Sequence, residues 1–159
     1  MSFGHLNHGQ APLEVSGVTG KHSDIVSFIC ADAIAAGEWV DLNDGATAGG
    51  EARVQQVVQG NGTGLCIGVA VETITAAQLT AAAADGVDLY IRVCVSGYVE
   101  AARTDGTVAA AGNTLIPAAA GECTFGAATN VLTAVGVALA VDTGGAGAEV
   151  APVYGFRKY

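Results

Sequence analysis

The stretch Ala35-Ala36-Gly37-Glu38-Trp39-Val40 recurs as Ala110-Ala111-Gly112-Asn113-Thr114-Leu115, and Ile67-Gly68-Val69-Ala70-Val71 recurs as Val135-Gly136-Val137-Ala138-Leu139. Each copy reads Ala-Ala-Gly-x-x-apolar, a variable insert, then apolar-Gly-Val-Ala-apolar. The repeated residues are small, apolar or turn-forming, so they describe backbone geometry rather than a reaction centre. The first element is a tight turn feeding a strand, and the second is a buried strand with one close backbone approach. Internal repetition sets the fold. It predicts a duplicated β unit in which Gly68 and Gly136 hold equivalent strand positions.

The sequence around the repeats supports an all-β domain. Runs rich in β-branched and aromatic residues predict strands over 25–30, 38–42, 53–58 and 65–72. The clearest alternation runs over 87–95, where Val87, Leu89, Ile91, Val93 and Val95 share one face. A break before Gly97 separates it from a continuation over 97–101. Further strands are predicted over 113–117, 122–125, 131–141 and 149–159, with Pro117 ending its strand or marking an edge. Thr75-Ala76-Ala77-Gln78 is a capping box opening one short helix, which the Ala-rich run carries to Ala84 and Asp85-Gly86 stops. Short strands separated by turn signals predict an antiparallel β-barrel or sandwich with a pseudo-repeat. Residues 1–24 hold several glycines and one proline without a sustained apolar period, and they are expected to form an extended N-terminal arm lying on another chain. Residues 25–159 then form a single β domain with a C-terminal tail.

Composition narrows the function. The chain is 51% hydrophobic and only 13% charged, which excludes disorder. A net charge of −9 from 6 cations and 15 acids leaves no basic patch for nucleic acid and suits docking on a basic protein surface. No apolar run is long enough to predict a membrane span, and residues 1–10 lack the pattern of a secretory signal. The four cysteines, Cys30, Cys66, Cys94 and Cys123, form no C-x-x-C or Cys/His cluster. They read as reduced core thiols rather than disulfides or zinc ligands.

Candidate chemistry is sparse. His5, His8 and His22 all lie on the expected arm, where no rigid triad can be built, and no G-x-S-x-G is present. Gly60-Asn61-Gly62-Thr63-Gly64 lacks the Lys-[ST] of a phosphate loop and reads as a hairpin turn. The acid pairs Asp41/Asp44 and Asp85/Asp88 lack a calcium-loop pattern and read as turn residues. No catalytic, cofactor-binding or metal-binding residue is assigned, and no cofactor is expected. The spare aromatic residues are more informative. Trp39 stands where the second copy has Thr114, and Tyr154, Phe156 and Tyr159 gather with Arg157 at the C-terminus. Aromatic residues and arginine are enriched at interface centres and also fill cores.

The order of these motifs resembles the small capsid decoration, or cement, proteins of tailed bacteriophages. The residues that carry the resemblance are Gly68-Val69-Ala70, then Val93-Cys94-Val95-Ser96-Gly97-Tyr98-Val99, then Ala110-Ala111-Gly112-Asn113-Thr114-Leu115 and Gly136-Val137-Ala138, within about residues 25–142. The helix near 75–84 departs from that pattern, and the two ends have no counterpart. The resemblance implies a β-barrel-like, non-enzymatic protein that assembles in the host cytoplasm. It implies homotrimers bound to the major capsid protein on the virion exterior, with no nucleic-acid or membrane partner. Phe3, Leu6, Trp39, Tyr154, Phe156, Arg157 and Tyr159 are the expected interface residues. The alternative is a ligand- or carbohydrate-binding β module of a viral fibre or spike, using Trp39 with Asp41 and Asn43 as its platform.

Overall fold

The computed structural model describes residues 22–43, 55–108, 110–126, 133–142 and 149–156. These hold nine strands, β1 (Ser23–Cys30), β2 (Trp39–Leu42), β3 (Gln56–Gln59), β4 (Cys66–Ala70), β5 (Tyr90–Arg103), β6 (Thr114–Pro117), β7 (Cys123–Gly126), β8 (Gly136–Ala138) and β9 (Val150–Gly155). One helix, α1 (Ala76–Asp85), lies between β4 and β5. The sheet order is β1-β3-β2-β4-β5-β9-β8-β6-β7, and β1 also pairs with β5. The first five strands therefore close into a barrel, which removes their free edges. Beyond β5 the remaining strands make a second ring. It returns toward β5 through one parallel bridge, Thr104↔Cys123.

The second ring repeats the first residue by residue. Gly37 donates its N–H to Ala70 O at 2.8 Å, and Gly112 donates to Ala138 O at 2.8 Å. Ala70 donates to Glu38 O and Ala138 to Asn113 O; Val71 donates to Arg92 O and Leu139 to Pro152 O. Both turn glycines sit at φ 87°, the left-handed region that favours glycine. Gly68 and Gly136 occupy the same position in β4 and β8, as the repeat predicts. A Cβ on Gly68 would lie 2.2 Å from Cys94 O, and one on Gly136 would lie 2.7 Å from Tyr154 O. β5 serves twice. Its first half pairs with β1 and β4, and its second half plays the part of β1 for the second ring, pairing with β9.

Several expectations are corrected. β1 begins at Ser23, so the last residues of the expected arm are strand. Val87 to Leu89 lie outside any strand, and Val87 is 59% exposed; no neighbouring strand pairs with this segment. There is no break before Gly97, because β5 runs unbroken through it and pairs there with both Ser23 and Gly155. Of the run over 131–141, only Gly136–Ala138 is strand among the described residues. The helix follows its capping box closely: Thr75 Oγ1 accepts from Gln78 N, Gln78 Oε1 accepts from Thr75 N, and Gly86 closes the C-terminus in the left-handed conformation.

Two buried clusters form the interior. One fills the first barrel with Phe28, Val40, Val57, Ile67, Ile91 and Val93. The equivalent positions in the second ring are Ala102, Leu115, Cys123, Val135, Ala151 and Val153, all members of the other cluster. Phe28 and Ile91 have thus become alanines. The missing volume is supplied from the first barrel, since Trp39, Cys66 and Val69 belong to this second cluster. Alternation along β2 sends Val40 into the first barrel and Trp39 out of it. In β4 the register shifts opposite Val40 and Asp41, with Ile67 as the extra residue. That bulge lets Cys66 and Val69 face the second cluster while Ile67 and Ala70 face the first.

Candidate interaction surface

Tyr98 of β5 pairs with Tyr154 of β9, Tyr154 with Val137 of β8, and Val137 with Thr114 of β6. Directly opposed residues in adjacent strands project to the same face. The second ring therefore carries an outward row of two tyrosines, a valine and a threonine across four strands. Tyr154 is 45% exposed and the other three are half-buried. Phe156, two residues beyond Tyr154, is also exposed and donates its N–H to Val135 O at 2.8 Å.

The equivalent row of the first barrel is Trp39↔Val69↔Cys94. It is buried, because the second ring covers it. Trp39 is 1% exposed and its indole N–H donates to Arg103 O at 3.1 Å. Trp39 is accordingly a core residue, which removes it from the expected interface set. The same burial dismantles the sugar platform, since Asp41 is also 1% exposed and its Oδ2 accepts from Asn61 N. Tyr154 and Phe156 do lie together at the surface. Phe3, Leu6, Arg157 and Tyr159 lie outside the described residues, as do His5 and His8. Tyr98 and Val137 were not singled out from the sequence. Their signal was present in the repeat, because Val137 is the counterpart of Val69 and Tyr154 the counterpart of Cys94.

The remaining polar groups serve the fold. The 60–64 segment is a turn held by Asn61, whose Oδ1 accepts from Thr63 N, Gly64 N and Thr63 Oγ1. Glu38 is buried and takes Arg103 Nη1 at 2.7 Å and the Ala35 N–H at 2.8 Å, pinning the first turn to β5. On the surface, Glu72 takes the Arg92 N–H and guanidinium, and these hydrogen bonds hold its carboxyl below the usual carboxylate range. All four cysteines are free and buried. Burial pushes the thiols of Cys30, Cys94 and Cys123 up, Cys123 the furthest, so they are poor nucleophiles at neutral pH. Among the described residues no three His, Cys, Asp or Glu side chains are grouped to hold a metal ion.

An aromatic strip on a rigid sheet can bind another surface by burial, with Tyr hydroxyls available for hydrogen bonds. In comparisons with known proteins, no family model matches the chain and no curated protein matches its sequence.

Proposed function

We propose that this chain is a non-enzymatic capsid decoration protein that binds the outer surface of a phage major capsid protein and reinforces the shell. The observation that carries the reading is the Tyr98–Tyr154–Val137 row, which stays open in the second ring while its counterpart in the first is covered. A duplicated barrel of this kind presents one apolar strip on a stiff support, and many copies of a modest interface add up on a shell. The acidic chain suits docking on basic patches of a capsid protein. The motif order of the resemblance supports the same reading and adds a homotrimer as the bound form.

The test is co-sedimentation of the purified chain with empty shells built from the capsid protein of the phage that carries it. Saturable binding of the native chain is expected. Tyr154→Ser with Phe156→Ser should weaken it by about 30-fold, the effect of losing a hot spot, with an unchanged far-UV spectrum. The mass of the free protein checks for the trimer. A monomer that does not sediment with shells would remove the reading.

A further inference from the structure

We propose that the stretch preceding His22 lies in a groove on its own domain as an added β-strand along the free edge of β5. The groove has a volume of about 500 Å³, and its walls include Ser23, Ala36, Gly37, Ala70, Tyr98 and Glu100. It exists because β5 loses a partner on one side. β9 occupies one edge of β5 through Gly97↔Gly155, Val99↔Val153 and Ala102↔Ala151. β1 occupies the other edge only as far as Ser23↔Gly97, after which Tyr98 N donates to His22 O at 2.9 Å. The next contact given for that edge is Arg103 N donating to Gly37 O at 2.8 Å. Between Tyr98 and Arg103 the edge opens onto the groove.

Three observations select the occupant. First, the ladder reaches His22 without interruption, and Ser23 Oγ reinforces it by donating to Tyr98 O at 2.6 Å. Continuing the antiparallel register of Ser23↔Gly97 and Asp24↔Ser96 sets Lys21 opposite Val99 and Gly20 opposite Glu100. Second, the preceding sequence Val18-Thr19-Gly20-Lys21 suits a strand: it has two β-branched residues and no proline. At about 3.3 Å per residue, four such residues span roughly 13 Å, the run from Tyr98 to Ala101. Third, Glu100 is the one charged residue in the groove lining, and Lys21 is the cation this register brings beside it. The groove walls are otherwise small or apolar. An added strand there gives the β5 edge its hydrogen-bond partners and shields it from pairing with other chains.

The experiment uses the full-length chain, unlabelled and nitrogen-15-labelled in equal amounts, treated with a carbodiimide that joins amine to carboxylate at zero length. The expected product is a Lys21–Glu100 amide found only within light or within heavy chains. Mixed light–heavy links would mean that a second copy fills the groove and would overturn the own-chain assignment. Hydrogen exchange gives an independent readout. The Glu100 amide should exchange about 100-fold more slowly than an unstructured one, as a paired strand does. Gly20→Pro, which removes one ladder donor, should restore fast exchange at Glu100 and leave β4 unchanged. A Glu100 amide that exchanges freely in the native chain, with no Lys21–Glu100 link, would overturn the proposal.

Discussion

Gly68 and Gly112 are both glycines of the repeat, yet a methyl group meets different obstacles at each. At Gly68 the added carbon would lie 2.2 Å from the carbonyl oxygen of Cys94 and 2.9 Å from a Val93 methyl. The obstacle is backbone on a paired strand, so β4 and β5 must part. At Gly112 nothing lies within 4 Å, and the only penalty is the left-handed φ. Gly68→Ala is therefore expected to destabilise by about 3 kcal/mol, the upper range for overpacking, and Gly112→Ala by about 1 kcal/mol, both read from urea unfolding. The buried thiols give a second residue-scale prediction. Burial raises the pKa values of Cys30, Cys94 and Cys123 in the folded chain, while the unfolded thiols ionise near pH 8.5. A raised folded pKa contributes stability below the unfolded value and loses it as pH climbs toward the folded value. The melting temperature should fall between pH 8 and pH 10, and a variant with Cys30, Cys94 and Cys123 changed to Ala or Val should show a shallower fall.

Elements set by local chemistry follow the sequence, and those set by their neighbours do not. Helix α1 has no fully buried residue and no charge at either end to favour its dipole. It is held by its caps and by Leu79 packing on the first core. Thr75→Ala should then cost about 1 kcal/mol, the usual loss for an N-cap, with faster amide exchange confined to α1. The capping box was legible because its two hydrogen bonds form within four residues. The duplicated turns were legible for the same reason, each closing its own bond from Glu38 N to Ala35 O or from Asn113 N to Ala110 O. The strand predicted over 87–95 was only half right, since alternation cannot say whether a partner is present, and Val87 has none. Gly97 looked like a break but marks the point where β5 passes from one barrel to the other. The open row was hidden because Tyr98, Tyr154 and Val137 meet only through the register of three strands. Trp39 was visible as an oddity of the repeat, but its burial depends on where the second ring lies, a tertiary fact with no local signal.

The two rings form one mechanical unit rather than two tethered domains. Arg103 sits at their junction and is held three ways: its N–H donates to Gly37 O, its carbonyl accepts from Trp39 Nε1, and its guanidinium pairs with Glu38. Trp39 N donates to Gly121 O and Gly121 N to Gly60 O, tying the β6–β7 turn to the first barrel. The asymmetry of the cores makes the dependence directional. The first barrel is filled by its own Phe28, Ile34 and Ile91, whereas the second ring has Ala102 and Ala151 and draws Trp39, Cys66 and Val69 from its neighbour. Without them, Trp39 alone would leave a void the size of an indole in a set of small residues, and voids of that size are not closed by relaxation. Trp39→Ala should therefore cost about 3–5 kcal/mol and loosen the second ring first, seen as earlier loss of amide protection in β8 and β9 than in β1. The intact chain should unfold in a single transition, with Trp39 fluorescence and far-UV signal coinciding. A fragment covering residues 97–159 should show no cooperative unfolding, because it lacks the side chains that complete its core. Stable, cooperative folding of that fragment would mean that the second ring closes by itself and that Trp39 merely rests on it.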